Sequence, residues 1–340
     1  MLIVHGKIHY AKQNSVTLSP KAFLSTLGGM KKAFCGIAVI LSIVLFLWWG
    51  NDLPFYHEET QTNLPAPDET ACFSPKCRSI IKKNGNDRAI LMIHGFPGTP
   101  QIWSYFAEYF SSKGYDVYCP LLPGFGTDPK DLEKTNFSGW YDYAKRYYEK
   151  LRAEYRHVSI IGHSMGGSIA LKIAEEADVK PDAIVTIAAP VAYNSIKEGI
   201  ITTPFFSIAR PLSWFQDAYG EKTTDGKDRS ADGHEDWTGY DGLFVKAGLS
   251  ITFNLTPIRE NLGSITCPLF AIQDRRDRTV PAQNLRLIAE ALPEAKILKT
   301  HLKPGWLHTY HCLPMYHSIQ GELAQEILEF LKTKESLRTE

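Results

Sequence analysis

Cysteine is scarce in this sequence, and the spacing of the cysteines is unlike that of common metal sites. The 340 residues include only six cysteines, too few for a disulfide-based scaffold in a chain of this length. None of them forms the paired C-x-x-C spacing of a structural zinc site. We therefore expect a function that uses neither a metal ion nor another cofactor.

An excess of charge of either sign is also missing. Lys and Arg together number 37, and Asp and Glu also number 37, so the formal net charge is zero. A nucleic-acid-binding protein usually carries a basic excess on its working face, and we therefore expect no nucleic-acid partner. With 44% hydrophobic residues and only 25 Gly and 20 Pro, the composition is that of a folded globular chain.

Acidic residues are absent from the start of the chain. Residues 1–32 contain five lysines and no acid, whereas residues 51–70 contain five acids and no Lys or Arg. Between them, residues 33–50 form an uncharged run of 18 residues, which as a helix spans roughly 27 Å, close to the roughly 30 Å of a bilayer core. The sequence therefore predicts a basic N-terminal segment, 1–32, and one transmembrane anchor, 33–50, with the lysines inside the cell.

A cleaved signal peptide is the alternative interpretation of the same run. Met30-Lys31-Lys32 before an apolar stretch is also typical of a secretory signal. No small-x-small cleavage site follows, because the run continues through Trp48, Trp49 and Gly50 into Asn51. We favour an uncleaved anchor, which makes the membrane a partner of the chain and predicts that the domain after it lies on the periplasmic or extracellular face.

The sequence after the run predicts a tether and one large domain. Residues 51–76 are rich in Pro, Asp, Glu and Thr and lack periodicity, which is typical of a linker. Cys72 and Cys77 lie at its end, and whether they form a local disulfide stays open. Residues 77–337 are enough for a single α/β domain.

Short apolar runs alternate with helical stretches from Arg88 onward, a pattern that indicates βαβ units and a mainly parallel sheet with helices on both faces. The predicted strands are 89–93, 116–119, 158–161, 183–188, 269–272 and 296–300. The predicted helices are 101–113, 137–155, 166–177, 282–292 and 318–331. Residues 191–264 break this rhythm, so we expect them to form a cap inserted between two strands. Two interpretations stay open for the apolar residues of the cap, which either line an apolar pocket or pack against the sheet: Ile200, Ile201, Phe205, Phe206, Ile208, Trp214 and Phe215.

The motif with the clearest chemistry is Gly162-His163-Ser164-Met165-Gly166-Gly167. It lies directly after a predicted strand and directly before a predicted helix. A nucleophilic serine on such a sharp turn needs glycines two residues to either side, because a Cβ there would clash with the neighbouring strand and helix. The context predicts a nucleophile elbow with Ser164 as the nucleophile.

A second motif, His94-Gly95-Phe96-Pro97-Gly98, follows the first predicted strand. Acyl transfer places negative charge on the former carbonyl oxygen, and preorganised backbone N–H groups are its usual stabilisers. We expect one donor to be the N–H of Met165, next to the nucleophile, and the other to be the N–H of Phe96.

A serine nucleophile also needs a histidine to take its proton and an acid to orient that histidine. In a strand-turn-helix hydrolase the chain order is serine, acid, histidine. Asp274 and Asp277 follow the strand 269–272, and we prefer Asp277 because it lies further into the loop. Four histidines follow the strand 296–300, namely His301, His308, His311 and His317. Their positions between that strand and the final helix leave His308 and His311 as the two candidates for the base.

Together these residues resemble the α/β-hydrolase superfamily and, within it, bacterial carboxylesterases and monoacylglycerol lipases. The resemblance covers roughly residues 77–331 and rests on a series of landmarks: HGFPGT (94–99), KGY (113–115), PG-x-G (123–126), Trp140, Asp142, GHSMGG (162–167), TIAAP (186–190) and DRTVP (277–281). It implies Ser164 as nucleophile, Phe96 and Met165 as oxyanion donors, and Asp277 as acid. In the family the base precedes an apolar residue by two positions, which favours His311. The sequence departs from the family in the long loop at 303–310 and in the anchor.

The resemblance implies a serine hydrolase that cleaves carboxylic esters of short or medium acyl chains, or monoacylglycerols, through an acyl-enzyme on Ser164. A membrane-tethered acyltransferase would use the same triad with an alcohol in place of water. A non-catalytic binding protein on a hydrolase fold would normally lack one of the three residue types, and all three are present here.

Overall fold

The computed structural model describes residues 31–46, 57–193, 195, 198, 200, 204–226, 232–233, 236–300 and 309–336. The chain divides into two compact units, which meet in the sequence between Leu47 and Trp48. In the first unit, residues 31–46 form a helix, α1, on which large apolar side chains such as Phe34 and Ile40 are exposed. None of the helices within the described ranges is long and apolar enough to cross a membrane. The anchor expected at 33–50 is therefore not confirmed, and its last four residues lie outside the described residues.

The second unit is built on a seven-stranded sheet. Its strands are β1 (Ile80–Lys82), β2 (Arg88–Ile93), β3 (Asp116–Cys119), β4 (His157–His163), β5 (Ile184–Ile187), β8 (Leu269–Asp274) and β9 (Lys296–Thr300). They lie in the order β1-β3-β2-β4-β5-β8-β9, and all neighbouring strands are parallel except β1 and β3, which are antiparallel. The predicted mainly parallel sheet is confirmed, and β1 is an addition that the sequence pattern did not predict.

Helices cover both faces of this sheet, as predicted. They are α2 (Ser104–Ser112), α3 (Pro129–Leu132), α4 (Phe137–Glu154), α5 (Met165–Glu176), α8 (Gln283–Ala291) and α9 (Gln320–Ser336). Alternate residues of β2 point to opposite faces, so Leu91 belongs to one buried cluster, with Trp140 of α4, while Met92 belongs to the other, with Phe106 of α2. A strand buried on both faces must be apolar throughout, which explains the run Ala-Ile-Leu-Met-Ile in β2.

The chain between β5 and β8 forms the cap. Its described elements are α6 (Pro204–Ser213), the antiparallel pair β6 (Tyr219–Asp225) and β7 (Thr238–Leu243), and α7 (Val245–Asn261). The sequence predicted the insertion but not the hairpin. Strands β6 and β7 are rich in charged residues and glycine, which are less common in β-strands than elsewhere in proteins. They pair with each other and not with the main sheet.

The segment expected as a tether is hydrogen-bonded to the domain within its described part, 57–76. The backbone N–H of Gln61 donates to Ser138 Oγ at 2.9 Å, and Asn254 Nδ2 of α7 donates to Glu58 Oε1 at 2.9 Å. These partners lie 77 and 196 residues further along the chain. The local composition of a Pro- and acid-rich stretch could not reveal contacts with such distant partners.

Candidate active site

Ser164 lies on the sharp turn between β4 and α5. Its backbone has φ 53° and ψ −124°, a conformation that is rare for a residue with a side chain and is found at functional sites. The surrounding structure holds it there, because the Ser164 N–H donates to the Ile187 carbonyl oxygen at 2.8 Å. A Cβ at Gly162 would overlap the carbonyl oxygen of Gly166, and a Cβ at Gly166 would overlap that of Ile93. The glycine spacing of the motif is therefore a packing requirement of the turn.

Asp277 and His311 are brought together across the carboxyl edge of the sheet. His311 Nδ1 lies 2.8 Å from Asp277 Oδ2, and the Asp277 side chain is fully buried. The other carboxylate oxygen, Oδ1, accepts the backbone N–H groups of Thr279 and Val280, both at 2.8 Å. Asp277 is thereby fixed as an acceptor, so that the His311 proton sits on Nδ1 and leaves Nε2 free to accept a proton.

Asp274, the other candidate acid, has a different partner. Its carboxylate accepts the backbone N–H of Arg276 at 2.8 Å and pairs with the Arg276 guanidinium at 3.3 Å. This is the hydrogen bonding of a turn-forming aspartate. The structure thus brings Asp277, and not Asp274, to the histidine.

The loop that carries His311 contacts two arginines of the loop that carries Asp277. The Arg276 guanidinium lies 4.2 Å from the centre of the Tyr310 ring, within range of a cation–π contact. The Arg278 backbone N–H donates to the Thr309 carbonyl oxygen at 3.0 Å. Of the other candidate histidines, His301 and His308 lie outside the described residues.

His317 is placed next to the cap rather than beside the acid. Its backbone N–H donates to the Asp232 carbonyl oxygen at 3.0 Å. A Cβ at Gly233 would lie 2.6 Å from His317 Nε2. Among the described histidines, His311 is the one that reaches the acid.

The proposed oxyanion loop approaches the nucleophile very closely. A Cβ built on Gly95 would lie 2.9 Å from Ser164 Cβ, so only glycine allows this approach. Phe96 follows Gly95 directly, and Met165 is the first residue of α5. The loop therefore brings the Phe96 backbone near the start of α5, where the Met165 N–H belongs to the group that a helix leaves unpaired.

Two sets of contacts that hold this loop in place were not predicted from the sequence. His94 is fully buried; its Nδ1 hydrogen-bonds the Gly95 carbonyl oxygen at 3.0 Å, while Nε2 accepts the Leu122 N–H at 3.1 Å. Burial lowers the pKa of His94 to about 4, so the ring stays neutral and can donate at one nitrogen and accept at the other. The only available signal was the position of this histidine next to Gly95.

The second support comes from the cap. The Tyr240 N–H donates to the Pro97 carbonyl oxygen at 3.0 Å, and Gly98 forms a bridge with Gly239. A Cβ at Gly239 would lie 2.6 Å from the Pro97 oxygen. The β7 strand of the cap therefore lies directly on the oxyanion loop.

Three aromatic side chains surround the Phe96 ring. Its centre lies 5.9 Å from Trp140, 6.2 Å from Phe125 and 6.1 Å from Phe244, the last of which belongs to the cap. Of the apolar cap residues considered from the sequence, Ile200 is buried, whereas Ile208, Trp214 and Phe215 are exposed. Ile201 and the side chains of Phe205 and Phe206 lie outside the described residues. The half-buried Phe96 ring is therefore packed against aromatic side chains that are themselves buried.

The arrangement differs from a complete triad in one respect. Within the described ranges, no hydrogen bond joins the Ser164 hydroxyl to the His311 ring. Such bonds are often long or poorly aligned until substrate binds. The described residues also include no group of three or more His, Cys, Asp or Glu side chains that could hold a metal ion.

Known proteins resemble both this sequence and this fold. The sequence profile of the alpha/beta hydrolase family matches residues 90–320. A carboxylesterase of Bacillus subtilis strain 168 is 25% identical over 227 residues, which are 66% of this chain and 87% of that protein. A thermostable monoacylglycerol lipase of Bacillus sp. strain H-257 is 26% identical over 245 residues, 71% of this chain and 89% of that protein.

Solved structures support the same fold. A metagenome-derived lipolytic enzyme superposes with a TM-score of 0.64 at 24% identity, covering 76% of this chain and 98% of its own. The monoacylglycerol lipase of Paleococcus ferrophilus superposes with a TM-score of 0.60 at 18% identity, covering 75% and 98%.

Proposed function

The chain belongs to the alpha/beta hydrolase family and is a hydrolase, and from this premise we propose that it cleaves carboxylic esters through an acyl-enzyme on Ser164. The observation that carries the proposal is the 2.8 Å hydrogen bond between His311 Nδ1 and Asp277 Oδ2. It occurs on the loops that face the strained turn of Ser164. A buried carboxylate that orients a histidine in this way makes the histidine a base for a nearby hydroxyl.

In the first half of the reaction, Ser164 Oγ attacks the ester carbonyl carbon while His311 Nε2 takes the hydroxyl proton. The carbonyl electrons move onto oxygen, and the N–H groups of Phe96 and Met165 stabilise the resulting oxyanion. The C–O bond to the alcohol then breaks, and His311 returns its proton to the leaving alkoxide. The product of this half is an alcohol and an ester between the acyl group and Ser164.

In the second half, water replaces the alcohol. His311 Nε2 takes a proton from the water as its oxygen attacks the acyl carbon, and the same N–H groups stabilise the second oxyanion. The bond between the acyl carbon and Ser164 Oγ breaks, and His311 gives its proton to Ser164 Oγ. A carboxylic acid leaves, and Asp277 remains ionised throughout because it only orients and stabilises the imidazolium.

The substrates we propose are esters of short or medium acyl chains or monoacylglycerols. The half-buried Phe96 ring belongs to the residue after Gly95, whose backbone lies against Ser164, and its apolar surface suits an acyl chain. The names of the two bacterial relatives, a carboxylesterase and a monoacylglycerol lipase, support the same substrate class.

Kinetics of Ser164→Ala test the proposal. We expect the variant to lose hydrolysis of p-nitrophenyl butyrate and of a monoacylglycerol by at least about 10³-fold, because removing the nucleophile leaves only the residual catalysis of the oxyanion hole and binding. Ser159→Ala, the same substitution at a buried position of β4, the strand that precedes Ser164, should keep wild-type turnover. A Ser164→Ala enzyme that retains more than a few per cent of turnover would contradict the proposal.

We also propose that residues 33–50 stay uncut and anchor the catalytic domain on the outer face of the cytoplasmic membrane. The charge bias supports this orientation, because five lysines precede the run and five acids follow it. Cell fractionation and protease treatment of spheroplasts would test it. A released protein beginning after Gly50, or a domain protected from external protease, would contradict the topology and leave the esterase proposal untouched.

A further inference from the structure

His163, the residue before the nucleophile, touches three parts of the site. Its Nε2 lies 3.1 Å from the backbone carbonyl oxygen of His311, and the two imidazole rings are 4.8 Å apart. A Cβ at Gly95 would lie 2.9 Å from His163 Nδ1. The ring is 3% exposed, and Trp103 packs edge-on against it. It therefore lies where the elbow, the oxyanion loop and the loop of the base meet.

The partners of this ring determine its protonation. A carbonyl oxygen only accepts, so His163 Nε2 must carry the proton and donate to His311. Nδ1 is then a bare acceptor, and it has no hydrogen-bond partner among the residues that the structure describes. Burial holds the pKa of His163 well below its usual value, and the neighbouring His311 lowers it further. A neutral His163 ring can connect the elbow to the loop that carries His311. It does so without opposing the positive charge that His311 acquires in the reaction.

We propose that His163 is a positioning residue, whose Nε2–H fixes the backbone of His311 relative to Ser164 and so sets the distance between base and nucleophile. This rests on the proposed function of Ser164 and His311. The Asp277 carboxylate orients the His311 ring, and within the same loop the Leu313 N–H donates to the His311 carbonyl oxygen at 2.9 Å. The His163 bond attaches that carbonyl group to the residue next to the nucleophile itself.

Loss of the His163 hydrogen bond should affect the chemical step and not the binding of substrate. A misplacement of about 1 Å between reacting groups can cost roughly 10²-fold in rate. His163 donates its bond to the backbone of the base, so its loss should change kcat and leave KM almost unaltered. A residue that only filled space would alter stability without this selectivity.

The test compares three substitutions at His163. Glutamine can place an N–H near the position of Nε2, whereas asparagine is too short and phenylalanine has the ring without the donor. We expect His163→Phe and His163→Asn to lower kcat by about 10- to 100-fold with KM within about twofold, and His163→Gln to recover to within about threefold of wild type. The rate of labelling by a fluorophosphonate should fall in parallel with kcat, because both depend on activation of Ser164 by His311.

A matched control lies at the other end of the same strand. His157 begins β4, with Nδ1 3.7 Å from Asp182, and His157→Phe should leave kcat unchanged within about twofold. If His163→Phe does not fold, the asparagine and glutamine variants decide the matter. Equal kcat values for those two variants, or a loss confined to KM, would overturn the positioning role.

The outcome is separable from that of the proposed function. Suppose that the wild-type enzyme reacts with the fluorophosphonate and hydrolyses esters, and that Ser164→Ala does neither. The esterase proposal then stands, whatever the His163 variants show. Full kcat in His163→Phe would then reject the role of His163 alone.

Discussion

At the scale of the residue, the acid of the site is distinguished by its partners rather than by its type. Asp274 and Asp277 are three positions apart and both side chains are fully buried. One carboxylate accepts hydrogen bonds from the turn that contains Arg276, and the other accepts a hydrogen bond from His311. Their roles in catalysis should differ accordingly.

We predict that Asp277→Asn lowers kcat by about 10⁴-fold, because an amide can hold the imidazole in the wrong tautomer and cannot stabilise its positive charge. Asp274→Asn should retain kcat within about tenfold, since an amide oxygen can still accept the Arg276 N–H. Steady-state kinetics on a soluble ester measure both. Greater damage from the change at Asp274 would mean that the acid has been misassigned.

Sequence reasoning at this scale could name candidate residues where a motif was local. Ser164, Phe96 and Met165 could be named because glycines and a strand-turn-helix context surround them. The choice between His308 and His311 could not be made from spacing, because it depends on which loop position reaches Asp277 across the sheet. His94 and His163 were missed for the same reason, since their partners, Leu122 and the His311 carbonyl, lie 28 and 148 residues away.

At the scale of the element, the turn between β4 and α5 depends on close backbone contact. Gly162 and Gly166 leave no room for a Cβ, since each would overlap a carbonyl oxygen. In α7, by contrast, a Cβ at Gly248 would meet nothing within 4 Å. Glycines of both kinds, crowded and open, therefore occur in or beside the regular elements of the chain.

We predict that Gly162→Ala lowers the free energy of unfolding by at least about 3 kcal/mol, the upper range for overpacking against a rigid neighbour. Gly248→Ala should instead raise it by up to about 1 kcal/mol, because alanine is the better helix former. Urea titrations of both variants measure the difference. Near-wild-type stability of Gly162→Ala would show that the turn can relax.

The βαβ elements could be predicted because buried parallel strands are continuous apolar runs, as in β2 and β5. The β6–β7 hairpin could not, because its strands carry charged and glycine residues and are stabilised by each other. Its contact with Pro97 also depends on Gly239, whose role appears only when the cap is seen against the oxyanion loop.

At the scale of the whole molecule, buried neutral histidines link folding to pH. His94 has a pKa of about 4 in the folded protein, against an ordinary value of 6.5. Between these values the unfolded chain binds more protons than the folded one, so stability falls as pH decreases below 6.5. The low pKa of His163 acts in the same direction.

We predict that the free energy of unfolding drops by about 2 kcal/mol between pH 7.5 and pH 5 on account of His94 alone. His94→Gln can keep both hydrogen bonds without titrating, so its stability should depend less steeply on pH. Urea unfolding at the two pH values checks this. An unchanged slope in the variant would mean that other groups dominate the acid sensitivity.

The central claim, a covalent intermediate on Ser164, is tested most directly by mass spectrometry of the protein after reaction with a fluorophosphonate probe. We predict a single adduct on the peptide that contains Ser164, and its absence when Ser164 is replaced by alanine. His311→Ala should slow adduct formation to a similar extent as it slows ester hydrolysis, because both require the same proton transfer. An active enzyme that forms no adduct, or an adduct on another residue, would contradict the claim.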